Sequence, residues 1–145
     1  MPQVRDVLVV KGASVHSVSP STTVFEAIQK MNQHKIGAVL VTQDGCAVGI
    51  FTERDVLRRV LAEERAPREV TVGEVMTRDI ICVEPDTDLD EVSSIMQQRK
   101  IRHIPVCDDG GKVHGMVSIG DVNAHHASNQ EAHIHFLNDY IYGRA

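Results

Sequence analysis

The chain contains no tryptophan, and its few phenylalanines and tyrosines make up only 3% of the residues. Its core must therefore be aliphatic, and the 42% apolar and 24% charged content is the balance of an ordinary globular protein in water. Long apolar runs are also missing, since nothing approaches the eighteen or so residues of a membrane span. The opening MPQVRDVLVV lacks the charged-then-apolar order and small-residue cleavage site of a secretory leader, so a cytosolic location without membrane contact is expected. Basic clusters are absent from a chain of net charge −5, which excludes nucleic acid as an expected partner because no stripe of cations is available to neutralise successive phosphates. The three cysteines, Cys46, Cys82 and Cys107, stand at unrelated spacings with no CxxC pair, which suits neither a disulfide framework nor a zinc site. They are expected to be reduced thiols serving as small apolar residues. No nucleophile–base–orienter set, GxxxxGK[ST], GxGxxG after a strand, or HExxH is found, so no enzymatic activity is expected.

What the chain does have is internal repetition. VSPSTTVFEAIQKMNQHKIGAVLV from Val18 lies without a gap over VEPDTDLDEVSSIMQQRKIRHIPV from Val83. After a one-residue slip in the turns, VGIFTERDV from Val48 matches HGMVSIGDV from His114, and the lead-in VRDVL from Val4 resembles VGEVM from Val72. A period of roughly 65 residues indicates a duplicated domain rather than a solenoid. Each copy reads as β-α-β-β-α. VHSVS and IICVE are short strands, each followed by a proline. Val24, Ala27, Ile28 and Met31 fall at i, i+3, i+4 and i+7 of a helix, and Leu89, Val92 and Met96 trace a weaker equivalent. AVLVT-QDG-VGIFT and HIPVC-DDGG-VHGMVS read as hairpins, ERDVLRRVLAEE as a second helix, and AEERAPREVT as a linker. The expected organisation is a first repeat over 1–66, a linker and second repeat over 67–127, and a helical extension over 128–145. A three-stranded sheet with helices on one face leaves apolar surface uncovered, so the two units should pack together.

The strongest local signal is Gly-apolar-apolar-Thr/Ser-x-x-Asp at the strand-to-helix junction, as GIFTERD from Gly49 and GMVSIGD from Gly115. A hydroxyl followed three residues later by an acid can be a capping box. The first helices, however, use Glu at that place, in Thr23-x-x-Glu26 and Asp88-x-x-Glu91. Aspartate, one methylene shorter, is less suited to closing the box, whereas a carboxylate beside a hydroxyl at a helix start can accept hydrogen bonds from the 2′ and 3′ hydroxyls of a ribose. Free N–H groups at the same helix start suit an anion such as phosphate. Both readings stay open on the local pattern.

On these residues the chain resembles, over nearly its whole length, the CBS family, named after a domain of cystathionine β-synthase. The resemblance implies an α/β fold in which two tandem β-α-β-β-α repeats pack sheet to sheet about a pseudo-twofold axis, with clefts that bind adenosine-containing ligands. It implies ribose contacts from Thr52 and Asp55 in the first copy and Ser118 and Asp121 in the second, and an adenine pocket lined by Ala38 and Val39 and by Ile104 and Pro105. Members that bind phosphates carry basic residues just before that strand, which points to Arg102 and His103; the first copy has Gly37 and Ala38 there. Arg54, beside Asp55, could supply the missing cation, although an exposed helix arginine is equally ordinary, and Arg102 and His103 could be no more than a solvated strand end. Pro105 suits a lining position because it cannot donate to a sheet ladder.

The resemblance thus implies a regulatory sensor that needs no cofactor, takes AMP, ADP, ATP or NAD(H) as ligand, forms a homodimer and signals to a downstream protein. The alternatives are a ligand-free oligomerisation module and an unrecognised nucleotide hydrolase. After Asp121 the copies diverge. His125, His126, His133 and His135 lack the spacing of three or four that places ligands on one helical face, so no metal site is expected. Ile134, Leu137 and Ile141, with Phe136 and Tyr140, form an apolar stripe suited to packing on the core or on a second protomer.

Overall fold

The computed structural model describes residues 2–12 and 15–127. The expected helical extension, with His133, His135 and the stripe from Ile134 to Ile141, lies outside the described residues. The chain folds as a mixed α/β pair of repeats packed sheet to sheet. In the first, β1 (Ser17–Val18) runs parallel to β2 (Ala38–Gln43), which pairs antiparallel with β3 (Cys46–Thr52), while α2 (Val24–His34) covers the sheet. In the second, β4 (His103–Cys107) and β5 (Val113–Ser118) form the antiparallel pair, with α5 (Leu89–Arg99) and α6 (Ile119–Ala127) against it.

The lead-ins are helical and cross over. α1 (Val4–Lys11) precedes the first repeat, yet Val4 and Val7 are buried with Leu89, Val92, Ile104 and Val117 of the second. α4 (Val72–Val75) precedes the second, yet Val72, Val75 and Met76 are buried with Val24, Val39, Val41 and Phe51 of the first. Backbone bonds repeat the exchange. Val4 N–H donates to Thr87 O at 2.9 Å and Leu89 N–H to Pro2 O at 3.1 Å, while Val24 N–H donates to Val70 O and Val72 N–H to Thr22 O, both at 2.8 Å. Each buried valine contributes about 1.5–3 kcal/mol, so each core draws much of its stability from a segment that precedes the other repeat in sequence.

Equivalent glycines permit this crossing. A Cβ on Gly49 would lie 2.6 Å from Met76 Sδ and 2.9 Å from the Thr77 carbonyl oxygen, and a Cβ on Gly115 would lie 2.7 Å from Leu8 Cδ2. Met76 and Leu8 hold the same place in the two lead-ins, so the glycine that opens the repeated motif makes room for the crossing chain.

Four expected features differ. AEERAPREVT is packed rather than a free linker: Phe25 N–H donates to Pro67 O at 3.0 Å, the Arg68 guanidinium lies 3.9 Å over the Phe25 ring, and Val70 is buried in the first core. The helix after β3 begins as α3 (Glu53–Asp55) and widens into a π-helix over Val56–Leu61, with Ala62 N–H on Leu57 O and Arg65 N–H on Val60 O. IICVE is only an isolated bridge, Val83 to Val106, for which Pro105 is responsible. In the first repeat Leu40 N–H donates to His16 O at 3.1 Å; Leu40 corresponds to Pro105, and without an N–H the equivalent bond to Ile81 is impossible, so the ladder stops. The cysteines are also not uniformly apolar fillers, since Cys46 and Cys82 are exposed and only Cys107 is buried.

Gly49→Ala should destabilise the fold by about 1–3 kcal/mol in urea denaturation, because its Cβ meets backbone that cannot yield. Gly115→Ala should cost less than about 1 kcal/mol, because the flexible end of Leu8 can turn aside. Equal losses would show that the two lead-ins are equally constrained.

Candidate functional site

The carboxylates of the repeated motif sit where β3 and β5 turn into helices. Asp55 is 4% exposed, and its Oδ2 accepts from Thr52 N–H at 3.0 Å and Thr52 Oγ1 at 3.3 Å, while its own N–H donates to Thr52 Oγ1 at 3.3 Å. Thr77 Oγ1 donates to Asp55 Oδ1 at 3.1 Å, and Arg59 Nε lies 3.6 Å from the same oxygen. Asp121 repeats the arrangement, its Oδ2 accepting from Ser118 N–H at 2.8 Å and its N–H donating to Ser118 Oγ at 3.0 Å. Lys11 Nζ reaches Asp121 Oδ2 at 2.6 Å and the Met116 carbonyl at 2.8 Å. Burial raises the Asp121 pKa, but the Lys11 ammonium and the Ser118 N–H and hydroxyl outweigh it and hold the carboxyl below its ordinary value.

Aspartate therefore does close the capping box, in both copies. The short side chain reaches because the residue before the helix is extended, as at Thr52 with φ −123° and ψ 167°, which brings its N–H over the first turn. Of the two glutamate positions, Thr23–Glu26 closes a box, whereas Asp88 makes no side-chain cap bond. The contrast drawn between Glu and Asp does not hold.

Lys11 and Thr77, which the sequence reading did not single out, lie just past the paired lead-ins, so each carboxylate is tied to a crossing segment. Arg59 strengthens one tie by also donating to the carbonyl of Met76 at 3.1 Å. The repetition of VRDVL and VGEVM was the signal that these segments mattered.

The strand residues divide by alternation. The side chains of Val39 and Ile104 lie in the cores of their own repeats, so they do not line a cleft between the sheets. Ala38 and Leu40 are buried outside both clusters, on the opposite face, and the residue equivalent to Pro105 is Leu40 rather than Val39. Of the expected cations, Arg54 donates to the carbonyl of Lys100 at 3.3 Å, across the seam between the repeats. Arg102 is exposed, and its carbonyl accepts from Ile119 N–H at 2.8 Å. His103 is half-buried at the seam, 3.8 Å from where a Cβ on Gly37 would sit. Burial lowers its pKa; Lys11 and Arg102 lower it further, and Asp121 and Glu53 oppose the shift. His103 pairs with Ser118 across β4 and β5, Lys11 reaches Asp121 in the same copy, and Gly37 and Glu53 lie opposite His103 across the seam. Among the described residues no group of three or more His, Cys, Asp or Glu is placed to hold a metal ion, and no helix is long and apolar enough to cross a membrane.

The family model for the CBS domain matches residues 4–62 and 72–126. A mitochondrial CBS domain-containing protein of Arabidopsis thaliana, CBSX3, is 36% identical over 97% of this chain and 72% of its own length. YhcV of Bacillus subtilis, a CBS domain-containing protein, is 34% identical over 91% of each chain. Among solved structures, a putative signal-transduction protein with CBS domains from Burkholderia ambifaria superposes with a TM-score of 0.84 at 36% identity, covering 89% of this chain and 96% of that one. The CBS domain pair of protein MJ0100, solved in complex with 5′-methylthioadenosine and S-adenosyl-L-methionine, gives 0.79 at 26% identity over 88% and 98%.

The depressed His103 pKa has a consequence for stability. The unfolded chain takes up this proton as pH falls through the ordinary value of 6.5 while the folded chain resists, so the contribution of His103 is present above that value and is lost as pH falls through its lowered folded pKa. His16 is shifted the same way, so the two must be separated. His103→Gln should therefore lose less thermal stability than the native chain between about pH 7 and 5. Parallel melting curves for the two proteins would show that the acid sensitivity lies elsewhere.

Proposed function

The chain belongs to the CBS-domain family as a tandem pair, and from that premise we propose that it is a regulatory module that binds an adenosine-containing ligand at Ser118–Asp121 and Thr52–Asp55 and passes occupancy on as a change between its repeats. The observation that carries this reading is the tie between each motif carboxylate and the crossing lead-in. A ribose diol that hydrogen-bonds Asp121 competes with Lys11, and one that bonds Asp55 competes with Thr77. Ligand binding then loosens a contact between segments that belong to different repeats, and so prefers one arrangement of the pair over another.

The two sites are proposed to differ. Lys11 lies on Asp121, and Arg102 and His103 at the start of β4 are proposed to turn toward the same ligand, which suits a nucleotide with phosphates, AMP, ADP, ATP or NAD(H). Arg54 is turned to the Lys100 carbonyl, which leaves Arg59 as the cation at Asp55 and favours a ligand of lower charge there. Ala38, Leu40 and Pro105, with the backbone of Val39 and Ile104, are proposed to flank the base. No catalytic step is assigned to any of these groups, and signalling is proposed to act on a downstream protein.

Association is proposed to be homodimeric through the outer helical face. Leu57 and Leu61 of the π-helix are 62% and 52% exposed beside a groove formed by Ile28, Ile36 and Val56. A hexameric CBS-CP12 protein from cyanobacteria is a structural relative at a TM-score of 0.74 and 26% identity, covering 83% of this chain and 66% of that one. Leu57→Glu should shift the sedimenting species from dimer to monomer without loss of fold by circular dichroism; an unchanged mass would remove this face from the interface.

Thermal-shift titration tests the ligand. A ligand at a hundred times its Kd should add about 2.7 kcal/mol, a rise of several degrees. ATP and NADH should give that rise, and Asp121→Ala should reduce it. Lys11→Met should bind adenosine at least as tightly as the native chain but lose about fivefold for ATP, because the freed ammonium no longer meets phosphate. If no adenosine compound moves the melting temperature, the sensor reading fails and the ligand-free oligomerisation module takes its place.

A further inference from the structure

Cys82 and Cys107, expected from their spacing to be reduced thiols outside any disulfide framework, have their sulfurs 2.9 Å apart. The backbone sets them there. Val83 N–H donates to Pro105 O at 3.0 Å and Cys107 N–H to Val83 O at 2.9 Å, so the two segments run side by side about the Val83–Val106 bridge. Val83 and Val106 both lie in the second core, and by alternation Cys82 and Cys107 share the opposite face, diagonally across that bridge. Cys82 is exposed to a reagent, while Cys107 is buried behind it. A disulfide needs sulfurs about 2.0 Å apart, so the sulfurs must close by about 1 Å, and because the pair is diagonal the irregular backbone between Val106 and Cys107 must draw in with them.

We propose that Cys82 and Cys107 form a reversible thiol–disulfide modification site whose oxidant is a low-molecular-weight disulfide. The Cys82 thiolate attacks one sulfur of the small disulfide, whose other half leaves as a thiolate and takes a proton. Cys107 then loses its proton and attacks the Cys82 sulfur of the mixed disulfide, expelling the second small thiol. Two protein thiols become one disulfide, and one small disulfide becomes two thiols, so electrons and protons balance.

The environment makes the second step the slow one. Burial and the neighbouring Cys82 push the Cys107 thiol up to about 12. At neutral pH very little of it is the thiolate that must attack, so closure depends on sustained exposure to oxidant rather than on a brief pulse. The bond, once made, closes a loop across 25 residues that contains α5 and fastens β4 to the segment descending from Thr77. Because Thr77 holds Asp55 and β4 begins at His103, the bond would stiffen the connection between the two carboxylate sites. The chemistry of the pair stands without any ligand.

The test uses the full chain with oxidised glutathione, followed by acid quenching, alkylation of free thiols and peptide mapping without reductant. The expected product is an intramolecular peptide pair linking Cys82 to Cys107, with Cys46 alkylated and dithiothreitol restoring both thiols. The rate of closure from the Cys82 mixed disulfide should rise about tenfold per pH unit between about pH 7 and 9. Oxidation should raise the melting temperature of the native chain and of Cys46→Ser, but not of Cys82→Ser. A stable glutathione adduct on Cys82 with Cys107 still alkylatable at every pH would overturn the proposal, as would a product joined through Cys46. The map is read on the unmodified sequence, so a variant that fails to fold does not affect the outcome.

Discussion

The exchange of lead-in segments is the constraint on which the rest of the molecule depends. Val4 and Val7 complete the second core, and Val72, Val75 and Met76 complete the first, so neither repeat buries its apolar surface with its own contiguous sequence. A duplicated unit of this size is marginal alone, because a short chain hides too small a fraction of its surface to offset the entropy of ordering it. Crossing converts two marginal units into one structure whose halves cannot separate without opening both cores. The Gly49 and Gly115 positions follow from this, since any side chain there would occupy the path of Met76–Thr77 or of Leu8.

The same exchange explains why the motif carboxylates are neither simple caps nor open ligand sites. Asp55 and Asp121 each close a capping box and each accept a further bond from the crossing chain, Thr77 in one case and Lys11 in the other. A ligand that takes over these oxygens does not meet an idle group, because it must displace a contact between segments drawn from different repeats. For the partly exposed Lys11–Asp121 pair, that contact is worth about 1 kcal/mol after solvent screening. That is small beside the binding energy of a nucleotide and large enough to bias two arrangements severalfold.

Features that rest on local chemistry were legible in the sequence. The duplication, α2 with its apolar face at Val24, Ala27 and Met31, and both hairpins follow from spacing and turn residues, and the family follows from the repeated motif. The features that escaped depend on what lies opposite. Pro105 was read as a sign of a cleft, but its larger effect is on Ile81, whose strand loses the bond that His16 receives from Leu40. Val39 and Ile104 were placed in a cleft by position in the motif, and the alternation of their strands turns them into the cores instead. The lead-ins were seen to match, yet matching sequence cannot say that each packs on the other repeat. The capping argument failed because it compared side-chain lengths and left out the extended backbone at Thr52 that brings the donor to the acid.

Duplication followed by divergence accounts for the unequal halves. The positions that shape the fold are kept in kind: glycine beneath the crossing chain, a hydroxyl and an aspartate at the helix start, and valines in the lead-ins. The positions that vary are those that set charge and edge pairing. Gly37 lies opposite His103 across the seam, where a Cβ at 37 would press on Glu53 Oε1 at 3.3 Å and meet the imidazole in ordinary contact at 3.8 Å. The electrostatic difference between Asp55 and Asp121 follows from which cation reaches each carboxylate, Arg59 from the helix after β3 in the first copy and Lys11 from the crossing lead-in in the second.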